Sequence, residues 1–368
     1  MNVPSQPPAS RVIELPDPLE TWCGDSLPGV RLVCESWGER RGNGDNTILL
    51  FTGLSPSAHA ASSEQDPSDG WWEAMVGPGK PIDTRRFHVL CFNSLGSCFG
   101  STGPASPRPG GDEPWRLDFP ELRVEDIAAA TRAALDVMGI RQLHAIVGPS
   151  LGGMSALAFL LRYPGSARHL LSISSAERAL PFAIAVRSLQ REIVRSDPAW
   201  QGGNYDADAQ PASGMRLARK LGMISYRSPG EWAERFGRRK MAEPDPGFGP
   251  RYEIESYLAA QADRFVGGFD PNCYIYLSRA MDLFDVDDHA REGQSPLQAL
   301  AELESAAVVG VESDILFPLQ QQRALADNLA DMGVATRFHG LASIQGHDAF
   351  LVDDERFGPV IADYLAGI

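Results

Sequence analysis

Hydrophobic positions along this chain follow two rhythms that alternate. Short apolar runs at Thr47–Thr52 (TILLFT) and Phe87–Phe92 (FHVLCF) predict strands covered on both faces, as in a parallel sheet. Val30–Trp37 alternates polar and apolar residues instead, which predicts an antiparallel strand at the N-terminal edge of that sheet. Val124–Val137 repeats at helical spacing. It sets Ile127, Ala130, Thr131 and Ala134 on one face and Glu125 and Asp126 in the first turn, where negative charge suits the helix dipole. A strand at Leu143–Gly148, an apolar helix at Leu151–Arg162 ended by Tyr163-Pro164, and a strand at His169–Ser174 complete the first half.

From about Leu180 to Leu300 the periodicity is helical, interrupted by Pro, Gly and Asp stretches at Trp200–Gly214 and Ala242–Pro250. Alternation resumes with a strand at Ala306–Glu312, a helix near Leu319–Met332, a strand near Ala335–Leu341 and a C-terminal helix around Arg356–Leu365. This order predicts an α/β fold with a mostly parallel central sheet and helices on both faces. Residues 1–179 and 301–368 form its core, and residues 180–300 form an inserted helical lid. Only the first nine residues are Pro-rich, and no internal repeat is present.

Composition narrows the setting. The 368 residues are 43% hydrophobic and 22% charged, which supports a folded core and excludes a disordered or fibrous chain. A formal net charge of −15 repels nucleic acid and anionic membranes, so any anionic ligand needs a local basic patch. No stretch reaches the roughly 18 to 20 apolar residues of a membrane span, and no apolar leader follows Met1. Five scattered cysteines without a Cys/His cluster argue against disulfides and zinc, so a cytoplasmic protein without a metal is expected.

The chemistry centres on Gly148-Pro149-Ser150-Leu151-Gly152, a G-x-S-x-G pentapeptide between a buried strand and an apolar helix. Such a turn lifts the serine hydroxyl out of the sheet and points a helix N-terminus at a developing oxyanion. A hydroxyl nucleophile needs a base, and the base needs an orienting carboxylate. Asp314, just after the strand AAVVGVE, and His347, in Gln345-Gly346-His347-Asp348, follow in the order Ser, Asp, His at the C-terminal ends of successive strands. The backbone N–H groups of Leu151 and of Leu54, in Thr52-Gly53-Leu54-Ser55, are the expected oxyanion donors. The other histidines sit mostly in strands or the lid and read as structural. Cys98 lacks both a sharp turn and a base and is not expected to be the nucleophile.

These motifs resemble those of the homoserine/serine O-acyltransferases of the α/β-hydrolase superfamily. The likeness runs through TGLS (Thr52–Ser55), WWEAMVGPGKPIDT (Trp71–Thr84), NSLGSCFGSTGP (Asn93–Pro104), VGPSLGGM (Val147–Met154), MRLARKLGMISYRS (Met215–Ser228) and QGHDAFL (Gln345–Leu351). TGLSPSAHAAS, LPFAIAVRSLQRE and DPNCYIYLSRAMDLFD are most similar to the branch that acylates L-serine from succinyl-CoA. Pro149 departs from the glycine more usual before the nucleophile.

The resemblance implies double displacement through an acyl-Ser150, with succinyl-CoA or acetyl-CoA as co-substrate and no bound cofactor. It also implies a homodimer, Arg219 as the acceptor-carboxylate ligand and Asp348 as the acceptor-amino ligand. Arg187 is then a candidate for the distal carboxylate of a succinyl group, or else a member of a structural ion pair. Between Arg216 and Lys240, eight positive residues stand against two negative, a patch suited to the phosphates of CoA. Acetylation of serine or homoserine, ester hydrolysis, and a catalytically idle scaffold are the alternatives. A single methylene separates serine from homoserine and is worth only about 1–3 kcal/mol in a pocket.

Overall fold

The computed structural model describes residues 7–42, 44–243, 247–290, 293 and 295–368, so the first six of the Pro-rich residues and part of the Ala242–Pro250 stretch lie outside the described residues. Eight strands form the main sheet: β1 (Arg11–Glu14), β2 (Arg31–Trp37), β3 (Thr47–Phe51), β4 (His88–Phe92), β5 (Leu143–Pro149), β6 (Ala167–Ile173), β7 (Ser305–Val311) and β8 (Ala335–Leu341). Their spatial order is β1-β2-β4-β3-β5-β6-β7-β8. The β1–β2 and β2–β4 pairs are antiparallel and the rest are parallel.

Full burial of TILLF and HVLCF follows from this topology, because both faces of the central strands are covered. On β3, Leu49 and Phe51 join one apolar core while Ile48 and Leu50 join the other. The first core packs under α1 (Val124–Val137), α2 (Leu151–Arg162) and α8 (Leu319–Asp331). The second packs under α9 (Asp354–Ala366), through Phe357, Ile361 and Tyr364. The Val30–Trp37 region forms an inner strand, not the edge, since the short and mostly exposed β1 pairs outside it. Four residues with no buried apolar stripe carry too weak a pattern to announce themselves.

Between β6 and β7 the chain is helical: α3 (Pro181–Ser196), α4 (Ala212–Tyr226), α5 (Pro229–Phe236), α6 (Glu253–Phe265) and α7 (Pro271–Leu283). Local chemistry starts these helices. Pro181, Pro229 and Pro271 each occupy the first turn, and the side chains of Ser228 and Asp270 accept N–H groups of Glu231 and Cys273 at the starts of α5 and α7. The parallel register aligns Pro149 with Ile173, and Val311 with Leu341. The loops after β5, β7 and β8 therefore emerge along one edge of the sheet. No described helix is long and apolar enough to cross a membrane.

Candidate active site

The turn after β5 forces Ser150 to φ 55° and ψ −121°, a conformation L residues rarely adopt, so something must hold it there. Its N–H donates to Ile173 O at 2.9 Å. The glycines around it are sterically required. A Cβ at Gly148 would lie 2.2 Å from Gly152 O, one at Gly152 would lie 2.6 Å from Phe51 O, and one at Gly153 would lie 2.4 Å from the Ser175 side chain. The strained serine is thus clamped between two strands and the first turn of α2.

Ser150 Oγ lies 2.8 Å from His347 Nε2, and His347 Nδ1 lies 2.8 Å from Asp314 Oδ2. A carboxylate only accepts, so Nδ1 carries the proton and Nε2 accepts from the serine hydroxyl. Asp314 is fully enclosed, and its other oxygen, Oδ1, accepts the N–H groups of Leu316 and Phe317 at 2.9 Å each. Burial disfavours the imidazolium, but the charge and hydrogen bond of Asp314 outweigh it and raise the His347 pKa above its ordinary value. The arrangement can take the proton of Ser150 and stabilise it on the imidazole.

A pocket opens over this relay, lined by Leu54, Ser150, Arg187, Gln190, Arg219, Tyr226, His347 and Asp348 among others. Leu54 thus stands on the wall beside Ser150. Leu151 is the first residue of α2, whose leading N–H groups have no partner within the helix.

Arg219, on α4, lies with Cζ 4.4 Å from the centre of the Phe265 ring and 5.8 Å from that of Tyr226. Asp348 follows His347 directly, and its Oδ2 accepts from Arg227 Nε at 3.2 Å. Burial raises the Asp348 pKa, with Arg227, His347 and Arg219 pulling the other way.

Arg187 forms an ion pair and also borders the pocket. Its Nε donates to Asp282 Oδ1 at 2.6 Å, yet its Nη2 is buried without a partner and the residue lines the pocket. Arg191 Nη1 lies 2.7 Å from the second oxygen of Asp282, so two arginines share one carboxylate.

The basic stretch from Arg216 to Lys240 is less free than its charge count indicates. Arg216 pairs with Asp263, Arg227 with Asp348 and Glu231, and Arg239 with Glu253. Most of these carboxylates belong to α6 or to the His347 loop, where a local count does not reach. Two of the histidines read as structural carry carboxylate partners, His59 with Glu35 at 2.9 Å and His289 with Glu125 at 3.0 Å. Among the pocket residues missed in the sequence are Gln190, Tyr226 and Phe265. All lie in helices whose facing toward the pocket depends on how those helices cross. Gln190 Oε1 is buried without a partner, while its Nε2 donates to Ala218 O at 2.9 Å.

Residues 46–353 match the family described as alpha/beta hydrolase fold. The serine O-succinyltransferase of Litchfieldella anticariensis is 56% identical over 366 residues, covering 98% of this chain and 99% of the relative. The L-serine/homoserine O-acetyltransferase of Streptomyces lavendulae is 54% identical, covering 98% of each. The crystal structure of homoserine O-acetyltransferase from Bacillus anthracis superposes with a TM-score of 0.87 at 26% identity, covering 97% of each chain. With its fold, its strained serine and its near-complete overlap with these relatives, the chain belongs to the homoserine/serine O-acyltransferase family of the α/β-hydrolases.

Proposed function

We propose that this enzyme transfers the succinyl group of succinyl-CoA to the hydroxyl of L-serine, giving O-succinyl-L-serine for cysteine synthesis. The observation that carries this reading is the hydrogen-bonded Ser150, His347 and Asp314 at the floor of a pocket that also holds Arg187, Arg219 and Asp348. The name carried by the Litchfieldella anticariensis relative supports the choice of substrates.

In the first half-reaction Ser150 Oγ attacks the thioester carbonyl as His347 Nε2 takes its proton. The Leu54 and Leu151 N–H groups receive the oxyanion, the C–S bond breaks, and the proton passes from His347 to the departing thiolate. In the second half-reaction the serine hydroxyl gives its proton to His347 and attacks the acyl-Ser150 ester. Collapse returns that proton to Ser150 and releases the product.

Arg219 takes the acceptor's carboxylate and Asp348 its ammonium group, a pair of opposite charges matched to a zwitterion. Arg187, with one nitrogen held by Asp282 and another unpartnered, takes the distal carboxylate of the succinyl group. Residues 180–300 act as the lid that encloses these groups. The reaction is assigned to the cytoplasm, in keeping with five cysteines that form no disulfide.

Intact-mass measurement after mixing with succinyl-CoA tests the reading: a succinyl adduct on Ser150, absent from Ser150→Ala, is expected, and no adduct would refute it. The relative from Streptomyces lavendulae favours acetyl transfer as the second reading. Steady-state assays of both acyl-CoAs against L-serine and L-homoserine separate the two. Arg187→Gln should lower kcat/KM for succinyl-CoA roughly tenfold or more and leave acetyl-CoA nearly untouched.

A further inference from the structure

Arg227 follows Tyr226 at the C-terminal end of α4, and its guanidinium reaches the loop that carries His347. Nε donates to Asp348 Oδ2 at 3.2 Å, and Nη1 donates to Gln345 Oε1 at 2.8 Å and to Glu231 Oε1 at 3.1 Å. Glu231, on α5, is buried. The backbones meet at the same point. Gly346 has φ +69°, and a Cβ there would lie 2.6 Å from Tyr226 O and 2.9 Å from Arg227 Cα, so only glycine lets the loop approach this closely. Ser228 Oγ donates to Ile344 O, adding a third tie. Segments 121 residues apart in sequence are thereby clasped beside the pocket.

One guanidinium therefore sets the direction of Asp348. Arg227 occupies Oδ2, and among the described residues no hydrogen bond reaches Oδ1. A planar fork held by three acceptors has little rotational freedom, so the carboxylate it grips is fixed with it. Acylation of Ser150 uses neither group. Capture of a zwitterionic acceptor uses both.

We propose that Arg227 is a positioning residue for the second half-reaction: it aims Asp348 at the acceptor's ammonium group. The proposal rests on the reading of Asp348 given above.

The test compares wild-type enzyme with Arg227→Gln and Arg227→Lys, using L-serine and 3-hydroxypropanoate, which keeps the hydroxyl and carboxylate but lacks the amino group. The burst of thiol released from succinyl-CoA without acceptor should stay within about twofold of wild type. In Arg227→Gln, kcat/KM for L-serine should fall roughly tenfold or more while that for 3-hydroxypropanoate changes less than about twofold. Arg227→Lys keeps the charge but not the fork and should fall between.

Equal losses with both acceptors, or loss of the burst in both variants, would overturn the proposal and leave Arg227 a structural tie. Asp348→Asn separates the two levels. If it too treats both acceptors alike, the ammonium reading of Asp348 fails. If it discriminates and the Arg227 variants do not, the Arg227 proposal alone fails.

Discussion

In the proposed reaction His347 is the base, and Asp314 fixes its ring tautomer and compensates the burial of a positive charge. Only the neutral imidazole accepts the Ser150 proton, so kcat/KM for succinyl-CoA should rise with pH through a midpoint above the usual value of about 6.5. Asp314→Asn should move that midpoint down and lower the rate by a factor on the order of 10⁴. A pH–rate profile of both proteins checks this, and an unmoved midpoint would deny Asp314 its part. Ser150 and Asp314 follow buried strands and His347 follows the partly exposed β8, and all three were legible in the sequence because the ends of those strands are visible in the residue pattern. Arg227 and Gln190 were not, since their placement beside the pocket is set by contacts with segments distant in the chain.

Among the elements, the tightest is the elbow between β5 and α2. The Cβ of Gly152→Ala would meet the Phe51 carbonyl, a backbone atom that cannot swing aside, so the variant should lose about 3 kcal/mol of stability in urea unfolding. A variant as stable as wild type would mean the elbow is looser than its geometry implies.

The loop after β3, which carries Leu54, is pinned further along by Glu73, whose carboxylate accepts from Lys80 Nζ at 2.7 Å, Ser62 N at 2.6 Å and Gly70 N at 3.1 Å. Burial opposes this charge, but the donors prevail and lower the Glu73 pKa to about 2. A carboxylate depressed when folded stabilises fully above its unfolded value of about 4.3 and loses that contribution as pH falls toward the folded one. The stability gap between wild type and Glu73→Gln should therefore be full at pH 6 and shrink below about pH 4. A gap independent of pH would contradict it. Helices α1, α2, α8 and α9 and the central strands were read to within a residue or two, because fully buried runs and clear amphipathic faces leave little ambiguity, whereas α3 to α7 were read only as a helical stretch without bounds. The edge strand β1 escaped because it buries almost nothing.

At the scale of the molecule, four large apolar side chains on the helices between β6 and β7, Phe182 and Leu189 on α3 and Leu217 and Ile224 on α4, stand about half exposed, between 48% and 54%. A lone chain gains nothing from such a face, and we propose that a second copy covers it, making the enzyme a homodimer. Sedimentation should give twice the chain mass, and Leu189→Asp with Leu217→Asp should shift it toward the single chain. A monomeric wild type would dismiss the idea. The overall charge of −15 was plain from composition, but its distribution was not: arginines of the α4–α5 stretch are answered by acids of α6 and of the His347 loop.

Ser150 and His347, the proposed nucleophile and base, are separated by 197 positions. A polypeptide emerging from the ribosome therefore presents the elbow serine long before the imidazole that activates it has been translated. Until the last stretch docks along the sheet, the hydroxyl is as inert as any alcohol in water, and a truncation ending before residue 347 should be chemically silent toward thioesters even where its first strands have folded.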